Sequence, residues 1–206
     1  MPTATLQPLL HPVDLADLRP TQMTVGLQEV ERKRHEWVGR EEQDKPEFLG
    51  RHMIPVVTGP KGRRWLIDHH HLARALHDEG VTQVLVSVVA DLSHLKSDAF
   101  LTFMDNRNWL HPFDDEGERR DYDAIPHHIA KLRDDPYRSL AGALRRAGGY
   151  AKVDTPYAEF LWADFLRRKI KRSKVTTDIE GAIGKALNLA RSPDASHLPG
   201  WAGSSA

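Results

Sequence analysis

Hydrophobic and polar residues follow their most regular pattern in the first half of the chain. Residues 53–57 and 64–67 are short apolar runs, and the glycine-rich segment 59–62 between them predicts a β-hairpin. From residue 70 to 77, apolar positions recur at helical spacing. Residues 81–89 are dominated by valine, which predicts a strand buried on both faces. A hairpin, a helix and a buried strand in succession predict a compact α+β unit.

The flanking segments complete this unit and add a helical part. Residues 5–17 predict a short strand followed by a turn, and residues 25–38 predict a helix with one apolar side. Beyond Asp91 the pattern is mainly helical. The further predicted helices share apolar positions at helical spacing and cover residues 97–106, 126–133, 136–147, 155–171 and 177–190.

The predicted fold class is therefore α+β, with two parts and a tail. A small mixed sheet-and-helix unit is expected over residues 5–95. A mainly helical C-terminal lobe, packed on that unit, is expected over residues 96–192. Residues 193–206, which end in small and polar residues, are expected to form a tail.

Composition narrows the classes of function. Lys plus Arg equals Asp plus Glu at 29 each, which argues against a dedicated non-specific DNA binder but leaves room for a local basic patch. The chain has no cysteine, so disulfides, thiolate zinc sites and a cysteine nucleophile are excluded. No apolar run approaches the roughly 18 residues of a membrane span, and the first ten residues do not resemble a signal peptide. We therefore expect a cytoplasmic protein with no membrane partner.

The strongest chemical signal is the sequence Asp68-His69-His70-His71, where a strand turns into a helix. The first turn of a helix has unpaired N–H groups and a partial positive charge, which favour a phosphate or a carboxylate. Histidines there add donors, cations or acid–base groups near neutral pH. Asp68 could cap the helix, orient a histidine or hold a Mg²⁺ ion attached to phosphates. Arg64 lies just upstream and Arg74 lies one turn into the helix.

Each candidate also has a plainer interpretation. The three histidines could be a helix start with one buried and two solvated rings, and a single metal ion there would need carboxylates from elsewhere. Glu29 lies in a charged helix whose side chains are expected to face solvent. Gln22 is either a helix-start residue or a polar contact to a ligand. Arg138 either takes part in local capping or is presented to a phosphate or acidic substrate.

Residues 62–76, which read GRRWLIDHHHLARAL, resemble the strand–"DGHHR"–helix signature of the ParB/sulfiredoxin superfamily, and most closely that of its ParB-like nuclease branch. Other stretches are similar to that branch in the same order, so that the resemblance spans about residues 10–201. They are 18–22 with Gly26, Glu29 and Val30; 134–141; 148–150; 159–164; and 198–201.

The resemblance implies a nucleotide- or phosphate-binding fold whose relatives include sulfiredoxin, free-serine kinases and CTP-binding partition proteins. In these relatives the loop between strand and helix holds phosphates, which matches residues 68–71 here. The usual glycine of the signature is His69, which could narrow or re-aim the pocket. The sulfiredoxin reaction needs a cysteine and is excluded. No basic helix-turn-helix supports the partition-protein function. By position alone, Glu29 corresponds to a catalytic carboxylate of the serine kinases.

The leading hypothesis is an enzyme of phosphoryl transfer or phosphohydrolysis that uses Mg²⁺ with a nucleotide or another phosphorylated small molecule. Its expected catalytic residues are Glu29, Asp68 and His70, and Asp68 is also the expected metal ligand. One alternative is a metal-dependent nuclease acting on nucleic acid, which the neutral charge does not favour. Another is a non-catalytic module that binds an anion or small ligand. The expected phosphate- or nucleotide-binding residues are Gln22, Arg64, His69, His70, His71, Arg74 and Arg138.

Overall fold

A five-stranded mixed sheet organises the N-terminal part of the computed structural model, which describes residues 12–203. The strand order is β1-β6-β4-β5-β2, with antiparallel pairs β1–β6 and β4–β5 and parallel pairs β6–β4 and β5–β2. A separate parallel pair joins β3 to β7. The strands are β1 (Pro12–Asp14), β2 (Arg19–Pro20), β3 (Thr24–Val25), β4 (Ile54–Thr58), β5 (Arg64–Leu66), β6 (Gln83–Asp91) and β7 (Arg133–Asp134).

Eight α-helices surround and extend this sheet within the described residues, which confirms the predicted α+β class. None of these helices is long and apolar enough to cross a membrane. They are α1 (Leu27–Val38), α2 (Lys45–Arg51), α3 (His70–Asp78), α4 (Ser97–Asn106), α5 (Pro136–Arg146), α6 (Ala158–Lys169), α7 (Arg172–Thr177) and α8 (Ile179–Ala190).

The predicted hairpin and the helix that follows it are confirmed. β4 and β5 pair antiparallel with Val56 opposite Leu66, and α3 begins four residues after the end of β5. One predicted helix is wrong. Residues 126–133 contain only a short 3-10 turn, Ile129–Lys131, because the chain then becomes extended to pair β7 with β3. Tertiary pairing overrides the local helical pattern there.

The prediction that the valine-rich strand is buried on both faces is also wrong. In β6, Val84 is buried, but Val88 and Val89 are 55% and 48% exposed. The physical reason is that the neighbouring strand β1 has only three residues and pairs with residues 83–85 of β6 alone. Within the described residues, the second half of β6 has a strand partner on the β4 side alone.

Three apolar clusters divide the interior. One packs α1, α2 and α3 on the sheet, a second packs α4 with Val57, and a third lies within the helical lobe. The predicted limits 5–95, 96–192 and 193–206 stay a prediction, and residues 5–11 and 204–206 lie outside the described residues. Two observations concern these limits. The helix α4, which begins after residue 95, packs on the sheet, and Ala195 and Leu198, which lie in the predicted tail, are buried in the helical lobe.

The two parts of the molecule meet where α1 begins beside α5. The amide of Leu27 donates to Asp134 Oδ1 at 2.8 Å, and the amide of Gln28 donates to Ser139 Oγ at 3.3 Å. Gly26 permits this approach, because a Cβ there would lie 2.7 Å from the backbone nitrogen of Ser139. The start of α1 is thus capped by side chains of the helical part.

We expect Gly26→Ala to destabilise the protein by about 1–3 kcal/mol, because the added methyl group would force α5 away from α1. Urea denaturation followed by circular dichroism measures this change. Gly184→Ala is the matched control, since Gly184 lies inside α8 with nothing within 4 Å of the added Cβ. That variant should gain about 0.5–1 kcal/mol from helix propensity. Equal effects of the two substitutions would contradict the tight contact.

Candidate functional site

The strand-to-helix turn predicted at the histidine run is present. β5 ends at Leu66 and α3 begins at His70. Between them His69 takes a left-handed backbone conformation, with φ 64° and ψ 23°, and its amide donates to Asp68 Oδ1 at 2.6 Å. A left-handed turn explains why a glycine at this position suits the signature that the segment resembles. His69 occupies that conformation at a cost in strain.

The first amides of α3 are left free. The earliest intrahelical bond runs from Ala73 N to His69 O at 2.8 Å, and no side chain caps the helix. Within residues 12–203, the N–H groups of His70, His71 and Leu72 have no hydrogen-bond acceptor. This is the opposite of α1, whose first amides are capped. The partial positive charge at the start of α3 is therefore available to an anion.

A cleft of about 170 Å³ opens at this helix start. It lies between α1 and α3 on one side and α5 on the other. The predicted residues Glu29, Asp68, His69, His71 and Arg138 all line it. Its other lining residues are Arg32, Lys33, His52, Leu72 and Arg145. The cleft is small beside typical pockets for drug-sized ligands, which are about 300–1,000 Å³.

Cations outnumber carboxylates in the cleft. Four arginine or lysine side chains line it against two carboxylates, Glu29 and Asp68. Most of these cations already have a partner: Lys33 lies 3.0 Å from Glu36, and Arg145 donates to Glu159. Arg32 lies 3.6 Å from Glu29, and Arg138 has the most distant carboxylate of the four cations. Its contact with Glu159 is 3.8 Å long, and its buried Nε makes no hydrogen bond within the described part of the chain. The positive charge of Arg138 is therefore only weakly compensated by a carboxylate.

Glu29 is buried, not solvated as its charged helix suggested. It is 7% exposed, and Arg146 Nη1 donates to its carboxylate at 2.6 Å. Arg32 Nε lies 3.6 Å from the same carboxylate. Gly142 on α5 makes room for it, because a Cβ there would lie 2.8 Å from Glu29 Cδ. This carboxylate thus reaches the cleft as part of the contact between α1 and α5.

Two of the three histidines work as neutral hydrogen-bond acceptors. Thr21 N donates to His70 Nε2 at 3.2 Å, and Gly26 N donates to His71 Nε2 at 3.0 Å. Burial lowers the pKa of His70 to about 3 and lowers the pKa of His71 well below its ordinary value, with the Arg138 cation adding to both effects. Neither ring carries a positive charge near neutral pH. Both tie α3 to the segment that leads into α1.

Four of the predicted site residues do not line the cleft. His70 is buried and is not part of the lining, and Gln22 is buried with its Nε2 donating to Thr24 O at 2.7 Å. Arg74 pairs with Asp78 and donates to Leu132 O at 2.9 Å. Arg64 lies on the exposed start of β5. Burial withdraws His70 and Gln22 from the cleft, pairing with Asp78 holds Arg74, and Arg64 is exposed outside the lining.

Tertiary packing brings four further polar residues into the lining that the sequence did not indicate: Arg32, Lys33, His52 and Arg145. For Arg32 and Lys33 a signal existed, because residues three and four positions after Glu29 share its face of a helix. Arg145 lies two turns after Arg138 on α5, so the same rule could have found it. No local pattern marks His52, which follows α2 and stacks on Phe48.

The cleft offers few ligands for a metal ion. Within residues 12–203, no group of three or more His, Asp or Glu side chains could hold one. Of the two carboxylates, Glu29 is paired with Arg146, while Asp68 is exposed. Mg²⁺ is commonly held by one or two carboxylates together with substrate phosphates. Asp68 therefore fits a Mg²⁺ ion that arrives with a phosphate ligand, and the residues present do not fit a metal site made by protein alone.

Together, the α+β fold, the free helix start and the cationic cleft define a candidate anion-binding protein. The family model described as "Putative ParB-like nuclease" matches residues 11–168. The chain therefore belongs to this ParB-like family, which confirms the predicted branch.

Two solved structures resemble the chain to very different degrees. Protein Atu1540 from Agrobacterium tumefaciens is 52% identical, with a TM-score of 0.91, and the match covers 97% of this chain and 100% of that one. The C-terminally truncated chromosome-partitioning protein ParB from Caulobacter crescentus, complexed with CTP-gamma-S, is 12% identical over 89% of this chain and 93% of that one. Its TM-score is 0.29, and we base no argument on it. No curated protein matches the chain.

His69→Gly should raise the free energy of unfolding by about 0.5–1 kcal/mol. Glycine removes left-handed strain of about 1–2 kcal/mol but loses more backbone entropy on folding. Chemical denaturation measures the change. His69→Ala is the control, because alanine keeps the Cβ that causes the strain. If alanine stabilises the protein as much as glycine does, strain at this position is not the cause.

The buried histidines predict a loss of stability in mild acid. The native pKa of His70 is about 3, whereas an unfolded histidine titrates near its ordinary value of 6.5. The stability from the neutral ring is complete above pH 6.5 and is lost as pH falls toward 3, because only the unfolded state binds the proton there. The loss is at most about 1.4 kcal/mol per pH unit for each such histidine.

Thermal melts between pH 7.5 and 5.0 test this expectation. His70→Gln keeps an acceptor for the Thr21 amide but cannot titrate, so its melting temperature should depend less on pH than that of the wild type. Burial lowers the pKa of His111 to about 3 and lowers that of His71 well below its ordinary value, so both should maintain part of the slope in the variant. Identical slopes in the two proteins would rule out a neutral His70.

Proposed function

We propose that the cleft binds the phosphoryl group of a nucleotide or of another phosphorylated small molecule, and that the protein catalyses phosphoryl transfer or phosphohydrolysis there. One observation carries this proposal: the free amides at the start of α3 adjoin the same cleft as Arg138, whose nearest carboxylate, Glu159, lies 3.8 Å away. A helix start and an arginine are complementary donors for phosphate oxygens. A cleft of about 170 Å³ suits a phosphoryl group, with the rest of the ligand in its open mouth.

We assign the following roles to residues in and around the cleft. Arg138 and the amides of α3 would bind and orient the phosphoryl oxygens. Asp68, the exposed carboxylate, would position the attacking group and would hold Mg²⁺, which when bound neutralises phosphate charge. Glu29 is the proposed base, and Arg146 would orient it. His70, which does not line the cleft, would act as a positioning residue that holds α3 through the amide of Thr21.

A metal-dependent nuclease is the second candidate, and the family description favours it. The same phosphate-binding groups would then hold one phosphodiester of a nucleic acid, and binding would depend steeply on salt. A non-catalytic module would bind the ligand without turnover. Measuring binding and turnover in parallel separates these outcomes.

Arg138→Ala tests the proposed phosphate site. Inorganic phosphate and a panel of nucleoside mono-, di- and triphosphates, nucleic acids and hydroxy-amino acids, each with Mg²⁺, should include a ligand that raises the melting temperature of the wild type. Loss of one charge-assisted hydrogen bond should weaken that ligand about 10- to 100-fold. Arg168→Ala, at an exposed position on α6, should leave binding unchanged.

Turnover of the same panel is measured by phosphate release. Asp68→Asn should keep most of the phosphate binding but lose turnover. If Arg138→Ala binds every ligand as tightly as Arg168→Ala does, the phosphate site is wrong. If binding is lost as expected but the wild type turns over nothing in the panel, the cleft acts as a binding site and the catalytic part of the proposal fails.

A further inference from the structure

A histidine outside the histidine run also lines the cleft. His52 follows α2 directly, and the short segment between α2 and β4 brings its half-buried ring to the cleft. Its Nδ1 lies 2.9 Å from the carbonyl oxygen of Phe48. Because a carbonyl oxygen only accepts hydrogen bonds, Nδ1 carries a hydrogen and donates it. The neutral ring of His52 therefore has its free lone pair on Nε2.

This second ring nitrogen is accessible to a ligand. Within residues 12–203, Nδ1 is the only atom of the His52 ring that makes a hydrogen bond. Nε2 is not among the unpaired side-chain atoms that are sealed from solvent, so it is open to the cleft that the ring lines. His70 and His71 differ, because their Nε2 atoms already accept from backbone amides.

Packing holds the ring of His52 in place. It stacks on the ring of Phe48, with a centroid separation of 4.1 Å and an interplanar angle of 27°. The Arg40 guanidinium lies 4.1 Å from the centroid of the same ring, so His52 and Arg40 take opposite faces of Phe48. Phe48 is itself buried and packs on Trp37. The stacking and the hydrogen bond fix the ring, which pre-organises Nε2 for a ligand.

The charged and titratable groups that share the cleft with His52 come from three other elements. They are Glu29, Arg32 and Lys33 from α1, Asp68, His69 and His71 from the turn into α3, and Arg138 and Arg145 from α5. On its own helix, Arg51 pairs with Glu47 on the surface. Burial lowers the pKa of His69, and repulsion from His52 adds to that effect, so the two rings lie close together. An anion bound among these groups would favour the charged form of an imidazole beside it.

Hydrogen-bond chemistry sets a condition on any dianion that contacts Nε2. The oxygens of a phosphate-monoester dianion only accept hydrogen bonds, and so does the unprotonated Nε2 of His52. Two acceptors approach each other closely only with a hydrogen between them. The proton comes from solvent to Nε2, or it arrives on the phosphate, whose second ionisation lies at about pH 6. In both cases the dianion binds together with one proton.

We propose that His52 is an anion-binding residue of the cleft and that it couples anion binding to the uptake of one proton. The proposal rests on the proposed phosphate site, to which it adds a donor that depends on pH. Arg138 and the amides of α3 donate at every pH, whereas His52 donates only after it gains a proton. The affinity of the cleft for a dianion therefore rises as pH falls through the neutral range.

Sulfate is the probe that tests this coupling, because it stays a dianion between pH 6.5 and 7.5 and any pH dependence then belongs to the protein. Titration calorimetry of the full chain in two buffers of different ionisation enthalpy gives both the affinity and the number of protons taken up. For the wild type we expect uptake of up to about one proton per sulfate. The affinity should be about three- to tenfold higher at pH 6.5 than at pH 7.5.

Two substitutions separate the functions of the two ring nitrogens. In His52→Asn, the amide can still donate to Phe48 O but nothing replaces Nε2, so the affinity at pH 6.5 should fall about three- to tenfold. In His52→Gln, the longer amide reaches the position of Nε2 and donates at every pH, so the affinity should change less than twofold between the two pH values. His94→Gln is the control at an exposed position outside the lining and should match the wild type.

The outcomes distinguish this proposal from the phosphate site itself. Equal sulfate affinity of the wild type at the two pH values, or an unchanged pH dependence in His52→Asn, would overturn the role of His52. If Arg138→Ala still loses sulfate binding in that case, the phosphate site stands without His52. If the wild type binds neither sulfate nor phosphate, the phosphate site and the role of His52 are both wrong.

Discussion

The close contact between the starts of α1 and α5 is the constraint on which the site depends. The first amides of α1 donate to His71, Asp134 and Ser139, so α3 and the helical part cap this helix together. The capping holds α5 against α1 and places Arg138 and Glu29 at one cleft. It also satisfies the donors that would otherwise make the start of α1 a second anion site. Of these two helix starts, only that of α3 keeps its first amides unpaired within the described residues.

The histidines illustrate how burial changes the role of a residue type. In sequence, three consecutive imidazoles at a helix start suggest cations or ligands for a phosphate. In the fold, His70 and His71 are desolvated, which disfavours their charged forms, and their Nε2 atoms accept from backbone amides. Their contribution to an anion site is indirect: they fix the segment before α1 against α3. The positive character of the cleft comes from free amides and arginines.

Local pattern was sufficient for the parts of the fold that local interactions determine. The hairpin, the turn at Asp68 and α3 followed from residue spacing, and the family followed from short motifs. Side-chain direction did not follow, because it is set by partners distant in sequence. Arg74 turns to Leu132 and Arg145 turns into the cleft, although both lie on predicted helices. The segment 126–133 was misjudged for the same reason, since its extended end exists only as a partner of β3.

Net charge is a sum over the whole chain and does not describe how this chain distributes its charges. Equal totals of 29 suggest a neutral surface with no preference for polyanions. Yet ion pairs absorb much of the charge of the helical lobe, whereas Arg19, Arg63 and Arg64 keep theirs uncompensated. Association with a polyanion depends on the local field within about one Debye length, roughly 8–10 Å, and not on the sum over the molecule. A chain with zero net charge can therefore present a cleft in which four cations face two carboxylates.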